Sequence, residues 1–213
     1  MNNTWFVTGI DTDVGKTICT GWLASLWIQK GHQTITQKLV QTGACGYSPD
    51  IAMHRKIMGM DFQEDDEGLT APEIYSYPCS PHLASELDKR PLNLERILQA
   101  NERLSSRYER VLLEGAGGIM VPLTQELLTI DLIAQKKWPV VFVTSGKLGS
   151  ISHTLLSFEA MKNRSIELSH LIFNDWHPAQ DPIIDEDAFK YIVNRAKEMW
   201  PTAQCLRCPK LTL

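Results

Sequence analysis

The sequence predicts an α/β fold, a mostly parallel sheet with helices on both faces, and three observations carry that expectation. Short apolar, β-prone runs at residues 5–8, 110–113, 140–144 and 171–173 alternate with longer segments whose apolar residues recur at helical spacing. The first of those runs enters a glycine-bracketed bend and then an apolar helical segment, so the chain opens as strand, tight loop, helix. Finally, 213 residues at 43% hydrophobic content can bury one sizeable core, and no internal repeat or low-complexity segment interrupts them. A single domain over residues 1–213 is the expectation.

The opening stretch, WFVTGIDTDVGKT at residues 5–17, organises the rest. Trp5 to Thr8 reads as the strand, Gly9 to Gly15 as the bend, and Lys16 as the start of the helix. Backbone N–H groups and a helix N-terminus then face an anion, with Lys16 placed for β- and γ-phosphates and the Thr17 hydroxyl for Mg²⁺. The fold expected is therefore P-loop NTPase-like. Against the strict pattern G-x-x-x-x-G-K-[ST], Ile10 stands at the first glycine position and Gly9 lies one residue early, so a glycine-bracketed turn with a chance GKT is the competing reading.

Ile18 to Lys30 keeps Ile18, Trp22, Leu23, Leu26 and Trp27 on one helical face and Gly31 ends it. His32 to Val40 reads as a strand followed by a loop at Gln41, Thr42 and Gly43. Lys38, at the carboxyl end of that strand, is either a surface charge or a ligand-facing one, since open α/β sheets bind there. Pro49 to Met60 is a predicted helix on which Asp50 is an N-cap or a metal ligand. Asp61 to Leu92 reads as irregular, with an acidic run at 64–67 and four prolines; His82, in SPH, reads as structural. Helical spacing returns over 92–108, and the strand from Arg110 delivers Glu114 into Gly115 to Gly118, a Walker-B-like arrangement. With Thr17 and Asp50, Glu114 makes a set of hard oxygen ligands for Mg²⁺. Helices over 127–137 and 150–164, strands at 139–144 and 171–173 (ending at Asn174), and a last helix over 186–200 complete the series.

A formal charge of -4, with basic residues no more than paired, gives no argument for a nucleic-acid surface. No basic leader and no run of membrane-spanning length is present, so no membrane partner is expected and a cytoplasmic address follows by default. The five cysteines are scattered, and Cys205 and Cys208 have C-x-x-C spacing without a second pair, which predicts neither a disulfide framework nor a metal site.

GIDTDVGKT resembles the loop of the dethiobiotin synthetase family, including its extra spacing. The resemblance continues through KLVQTG at 38–43, SPH at 80–82, EGAGGIMVPL at 114–123, KLGSISHTLL at 147–156 and IFND at 172–175. It implies an ATP- and Mg²⁺-dependent cyclo-ligase that joins 7,8-diaminononanoate and CO₂ (or bicarbonate) through a carbamate and a carbamic-phosphoric anhydride. By the same resemblance, Asp13, Val14, Gly15, Lys16, Thr17, Ile18, Glu114 and Gly117 surround the nucleotide, Asn174 reads adenine, and Thr17, Asp50 and Glu114 arrange the metal. Lys16, Lys38, Thr12 and Thr42 serve the chemistry, with Asp11 and Thr12 near the diamine. The backbone around Ser150, Ile151 and Ser152 receives the substrate carboxylate from the opposite subunit, which implies a homodimer. The last forty residues match less well: in the stretch from Ala203, Leu206 stands near a family glycine, in what is read as a loop against the base, so weaker base discrimination is expected.

Other readings stay open. A partition- or septum-type ATPase switch shares the loop, but Ile10 and Asp11 stand where such proteins place a second lysine, and the last helix carries Glu186, Asp187 and Glu198 rather than a basic face. A cobyrinate-type amidotransferase domain would need a glutaminase portion for which this length has no room. A degenerate, non-catalytic paralogue is the remaining alternative.

Overall fold

Six strands, β1 (Thr4–Gly9), β2 (Thr34–Lys38), β3 (Arg110–Glu114), β4 (Val140–Ser145), β5 (Leu168–Asn174) and β6 (Gln204–Cys208), form one sheet in a computed structural model that describes residues 3–212. Their order is β2-β3-β1-β4-β5-β6 and every pairing is parallel. β1 is central, with β3 on one side and β4 on the other. The chain therefore reverses its direction of progress at β1, and the crevice at its carboxyl end is the place where such sheets bind ligands.

The helices are α1 (Lys16–Gln29), α2 (Pro49–Met58), α3 (Gln63–Asp66), α4 (Pro81–Leu87), α5 (Leu94–Arg107), α6 (Thr129–Lys136), α7 (Ser150–Lys162) and α8 (Pro182–Met199). Strand side chains alternate between two cores. Phe6, Leu113, Phe142 and Phe173 join Ile133 of α6, Phe158 of α7 and Ile192 of α8 on one face. Val7, Leu112, Val141 and Ile172 join Leu23 and Trp27 of α1 on the other. Both faces being covered, the inner strands β1, β3 and β4 carry apolar residues toward both faces rather than alternating in polarity. Phe158 meets Phe142 and Trp200 edge-on at 5.5 and 5.3 Å, which ties α7 and the end of α8 to the sheet.

Three expectations are corrected. The irregular region 61–92 contains α3 and α4, and Gln41 bridges Ile74 in parallel. Pro81 does not break structure there; it opens α4, as Pro49 and Pro182 open α2 and α8, because proline lacks only an N–H that the first turn leaves unbonded anyway. The last helix accordingly starts one turn earlier than its apolar face suggests. The tail is not a loop at Leu206: Gln204–Cys208 is an edge strand, Leu206 is in register with Ile172 and packs on the α1 core, and the loop begins at Pro209. Arg207 hides the strand in sequence. Its charge is held by Asp175 at 3.0 Å and Asp185 at 2.5 Å while its guanidinium lies over Phe173 and Phe189. Among the described residues no helix is long and apolar enough to cross a membrane.

Candidate active site

Gly9 closes β1 where an added Cβ would lie 2.7 Å from the Val143 carbonyl and 2.8 Å from Val14, so its glycine is required by packing against β4. That accounts for the early first glycine: it serves the strand's end and not the loop. Gly15, at φ 90°, is the N-cap of α1, a left-handed conformation that a side chain disfavours. Between them, the Lys16 ammonium is buried and donates to the carbonyls of Asp11 at 2.7 Å and Thr12 at 3.0 Å. Burial pulls the Lys16 pKa down to about 8, with the nearby Lys38 charge adding to the effect and Glu114 opposing it.

Four more predicted residues meet Lys16 at the carboxyl ends of β2 and β3. Lys38 is 3% exposed, which removes the surface-lysine reading; its Nζ contacts Asp50 at 2.5 Å, Glu114 Oε1 at 2.7 Å and the Gly115 carbonyl at 3.2 Å. The N-cap of α2 is Ser48, whose hydroxyl accepts from Ile51 N at 3.2 Å, so Asp50 is left free to face the site from the first turn. The Thr17 hydroxyl lies 3.0 Å from Asp50 Oδ1 and 3.2 Å from Glu114 Oε1, one proton between two carboxylates. Burial works against the Lys38 charge, yet Glu114 and Asp50 outweigh it and hold its pKa above the ordinary lysine value. Burial would likewise raise Glu114, but Lys38 and then His54 hold its carboxyl well below the usual carboxylate range. A hydroxyl and two ionised carboxylates on one edge suit Mg²⁺, which binds through a few hard oxygens and completes its shell with water and substrate phosphate.

Around this cluster lie two cavities that share Thr12. One, of about 350 Å³, is lined by Thr12, Thr42, Ser80, Pro81 and Gly117 among others. Gly117 is at φ 68°, and a Cβ added at Gly118 would lie 3.4 and 3.5 Å from the Ile10 and Gly9 carbonyls, so the loop after Glu114 runs against the phosphate loop. The other, of about 200 Å³, lies between Asp11 to Val14 and the start of α7 at Gly149 and Ser150. Ser150 is buried with its hydroxyl 3.2 Å from that of Ser145, whereas Ile151 is half-buried and Ser152 exposed on the first turn. Asn174, at the end of β5, is buried beneath Gly15: its Nδ2 donates to the Val14 carbonyl at 2.8 Å and its Oδ1 accepts from Trp176 N at 3.1 Å.

A family model described as an AAA domain matches residues 3–197. The ATP-dependent dethiobiotin synthetase BioD 2 of Pasteurella multocida is 44% identical over 193 residues, 90% of this chain and 90% of that protein. That of Haemophilus ducreyi is 42% identical over 97% of this chain and 98% of its own. The chain belongs to the dethiobiotin synthetase family. Among solved structures, a ParA family ATPase from Chlorobium tepidum superposes with a TM-score of 0.55 at 11% identity, covering 99% of this chain and 86% of that one. The kinase domain of the Escherichia coli tyrosine kinase ETK gives 0.53 at 17% identity, covering 84% of this chain and 69% of that one. These likenesses establish the sheet-and-loop architecture and say nothing of substrate.

In this member of the dethiobiotin synthetase family, one residue at the site escaped the sequence reading. His54 is wholly buried on α2, with Nε2 2.8 Å from Glu114 Oε2 and Nδ1 3.0 Å from the Thr36 hydroxyl. Its signal was present as spacing: Asp50 and His54 are four apart and so share a helix face.

Proposed function

We propose that this chain is an ATP- and Mg²⁺-dependent cyclo-ligase that closes the ureido ring of dethiobiotin from 7,8-diaminononanoate and CO₂, acting in the cytoplasm as a homodimer of single P-loop domains. One observation carries the reading: a lysine, two carboxylates and a hydroxyl stand within hydrogen-bond reach of one another at the strand ends, beside the buried ammonium of Lys16 on the adjoining loop, and these are the groups that phosphoryl transfer between anions demands.

One substrate amine adds to CO₂ and loses a proton, giving a carbamate. A carbamate oxygen attacks the γ-phosphorus in line, and the bond to the β-phosphate oxygen breaks to release ADP. The second amine then attacks the carbamoyl carbon, loses its proton, and expels phosphate as the ring closes. Lys16, now spent on two carbonyls of its own loop, would turn to the β- and γ-phosphates, with the N–H groups of Asp13 to Ile18 around the chain of phosphates. Mg²⁺ held by Thr17, Asp50 and Glu114 would neutralise charge on the triphosphate. Lys38, between the metal carboxylates and Gly115, would offset repulsion as carbamate and phosphoryl approach. Thr12 and Thr42 would align the carbamate from the cavity they share, beside Gly117 and with Asp11 near the diamine. Asn174 keeps one N–H and one lone pair uncommitted, the donor and acceptor that an adenine edge needs. The first turn of α7, at Ser150, Ile151 and Ser152, would take the substrate carboxylate on its N–H groups, contributed across the dimer.

Dethiobiotin and phosphate formation, measured together, should require ATP, Mg²⁺, the diamine and bicarbonate. Lys38→Met should cut kcat by about a hundredfold or more, since its contact grows toward the transition state, while ATP affinity stays within about threefold. Ring closure at wild-type kcat in folded Lys38→Met would overturn the assignment.

A further inference from the structure

We propose that His54 is a positioning residue that fixes Glu114 so that one carboxylate oxygen serves the metal and Lys38 while the other stays out of their reach. The inference rests on the cyclo-ligase reading for the identity of the metal site. The two oxygens of Glu114 are divided: Oε1 meets Lys38 at 2.7 Å and Thr17 at 3.2 Å, and Oε2 meets His54 at 2.8 Å. An ionised carboxylate can only accept, so Nε2 of His54 carries the proton. On the far side of the ring, the Thr36 hydroxyl accepts from Arg55 Nη1 at 2.8 Å and is paired with Nδ1 at 3.0 Å. Arg55 is fixed in turn by Asp65 through Nε at 2.7 Å and Nη2 at 2.8 Å. A row of bonds from Asp65 through Arg55 and Thr36 thus sets the plane of His54, and His54 sets the rotation of Glu114. Without it, Oε2 would be a buried acceptor that has lost its partner. Glu114 would then swing onto Lys38, and both the Thr17 edge and the free donor capacity of the lysine would be lost.

Glutamine and asparagine separate the two ends of the ring. His54→Gln places an amide N–H where Nε2 stands, toward Glu114; His54→Asn reaches only toward Thr36. Binding of Mn²⁺ with ADP, read by electron paramagnetic resonance without any ring chemistry, should stay within about threefold of wild type in His54→Gln and loosen by about 10–100-fold in His54→Asn, the usual effect of losing a ligand's outer partner. Equal Mn²⁺·ADP affinity in folded His54→Asn and wild type would overturn the proposal. Should either variant not fold, nitrogen-15 histidine spectra of the wild-type protein decide it: a proton on Nε2 of His54 is expected, and a ring protonated at Nδ1 alone would overturn it. Wild-type protein that makes no dethiobiotin but shows this Mn²⁺·ADP pattern would sink the function proposed above and leave the role of His54 standing.

Discussion

Lys16 is a lysine whose charge depends on its guest. In the free protein, burial pulls its pKa down to about 8, so above that pH the amine is mostly neutral. A triphosphate favours the ammonium and lifts the pKa again. Binding above about pH 8 must therefore take up a proton, and ATP affinity should fall about tenfold per pH unit between the free and the bound pKa, with little dependence below the free value. For folding the sign is opposite: a lysine with a lowered pKa destabilises while charged, so stability contributed at this site rises as pH climbs from about 8 toward the unfolded value. Titration calorimetry in two buffers of different ionisation enthalpy should find near-stoichiometric proton uptake at about pH 9 and little at about pH 7, and none at either pH in Lys16→Arg, whose guanidinium stays charged. Equal proton release or uptake at both pH values would defeat the assignment. At this scale the sequence spoke clearly where ligands are contiguous, as in Lys16 and Thr17, and through residue type at strand and helix ends for Lys38, Asp50 and Glu114. It was silent on convergence, since β2, α2 and β3 supply one group each. His54 was lost because a buried histidine on a helix looks the same in sequence whether it holds a buried carboxylate or merely fills space.

The phosphate loop and the helix that follows act as one element because Gly15 couples them. Gly15 and Gly31 have nearly the same left-handed φ, 90° and 88°, at the two ends of α1. An alanine Cβ at Gly15 would stand 2.1 Å from Asn174 Nδ2, whereas at Gly31 it would meet nothing within 4 Å. Both alanine variants carry the strain of a left-handed side chain, about 1–3 kcal/mol or a few degrees of Tm for each kcal/mol at this size. Gly15→Ala should lose more than Gly31→Ala, and only Gly15→Ala should weaken ATP binding, because the collision displaces both the loop and Asn174. Equal losses in Tm with unchanged ATP affinity would show that Asn174 yields freely and does not brace the loop. Elements like α1 were legible because glycine brackets and 3.6-residue spacing agree. β6 was not, because Arg207 interrupts five residues whose charge is neutralised by Asp175 and Asp185, distant in sequence. The helix α4 was obscured for the opposite reason: its proline was read as a breaker when it stands at the one position where a helix accepts it.

The sheet itself was the easiest feature to foresee, since alternating strand and helix periods admit few other topologies. It also carries the least functional information: proteins at 11–17% identity share it. What distinguishes the molecule at the largest scale is the surface of α7 and α8. Leu148 is 97% exposed just before α7, Leu156 67% on it, and Ile183 and Ile184 78% and 57% at the start of α8. Exposed apolar side chains on two neighbouring helices and just before the first of them support the proposed homodimer, in which a second copy covers them and each α7 serves its partner's diamine. Mixing two inactive variants tests both the dimer and the crossing. Lys16→Ala disables one phosphate loop; Ser152→Glu puts an acid where the substrate carboxylate would dock, on an exposed first-turn position where an acid favours the helix and should not unfold it. In a heterodimer with crossed sites, one site carries both lesions and the other carries neither. Random exchange makes half the dimers mixed, so activity should return to about a quarter of wild type. If each subunit instead used its own α7, every site would hold one lesion and mixing would restore nothing. A monomer by sedimentation at assay concentration, with full wild-type activity, would refute the dimer together with the crossing.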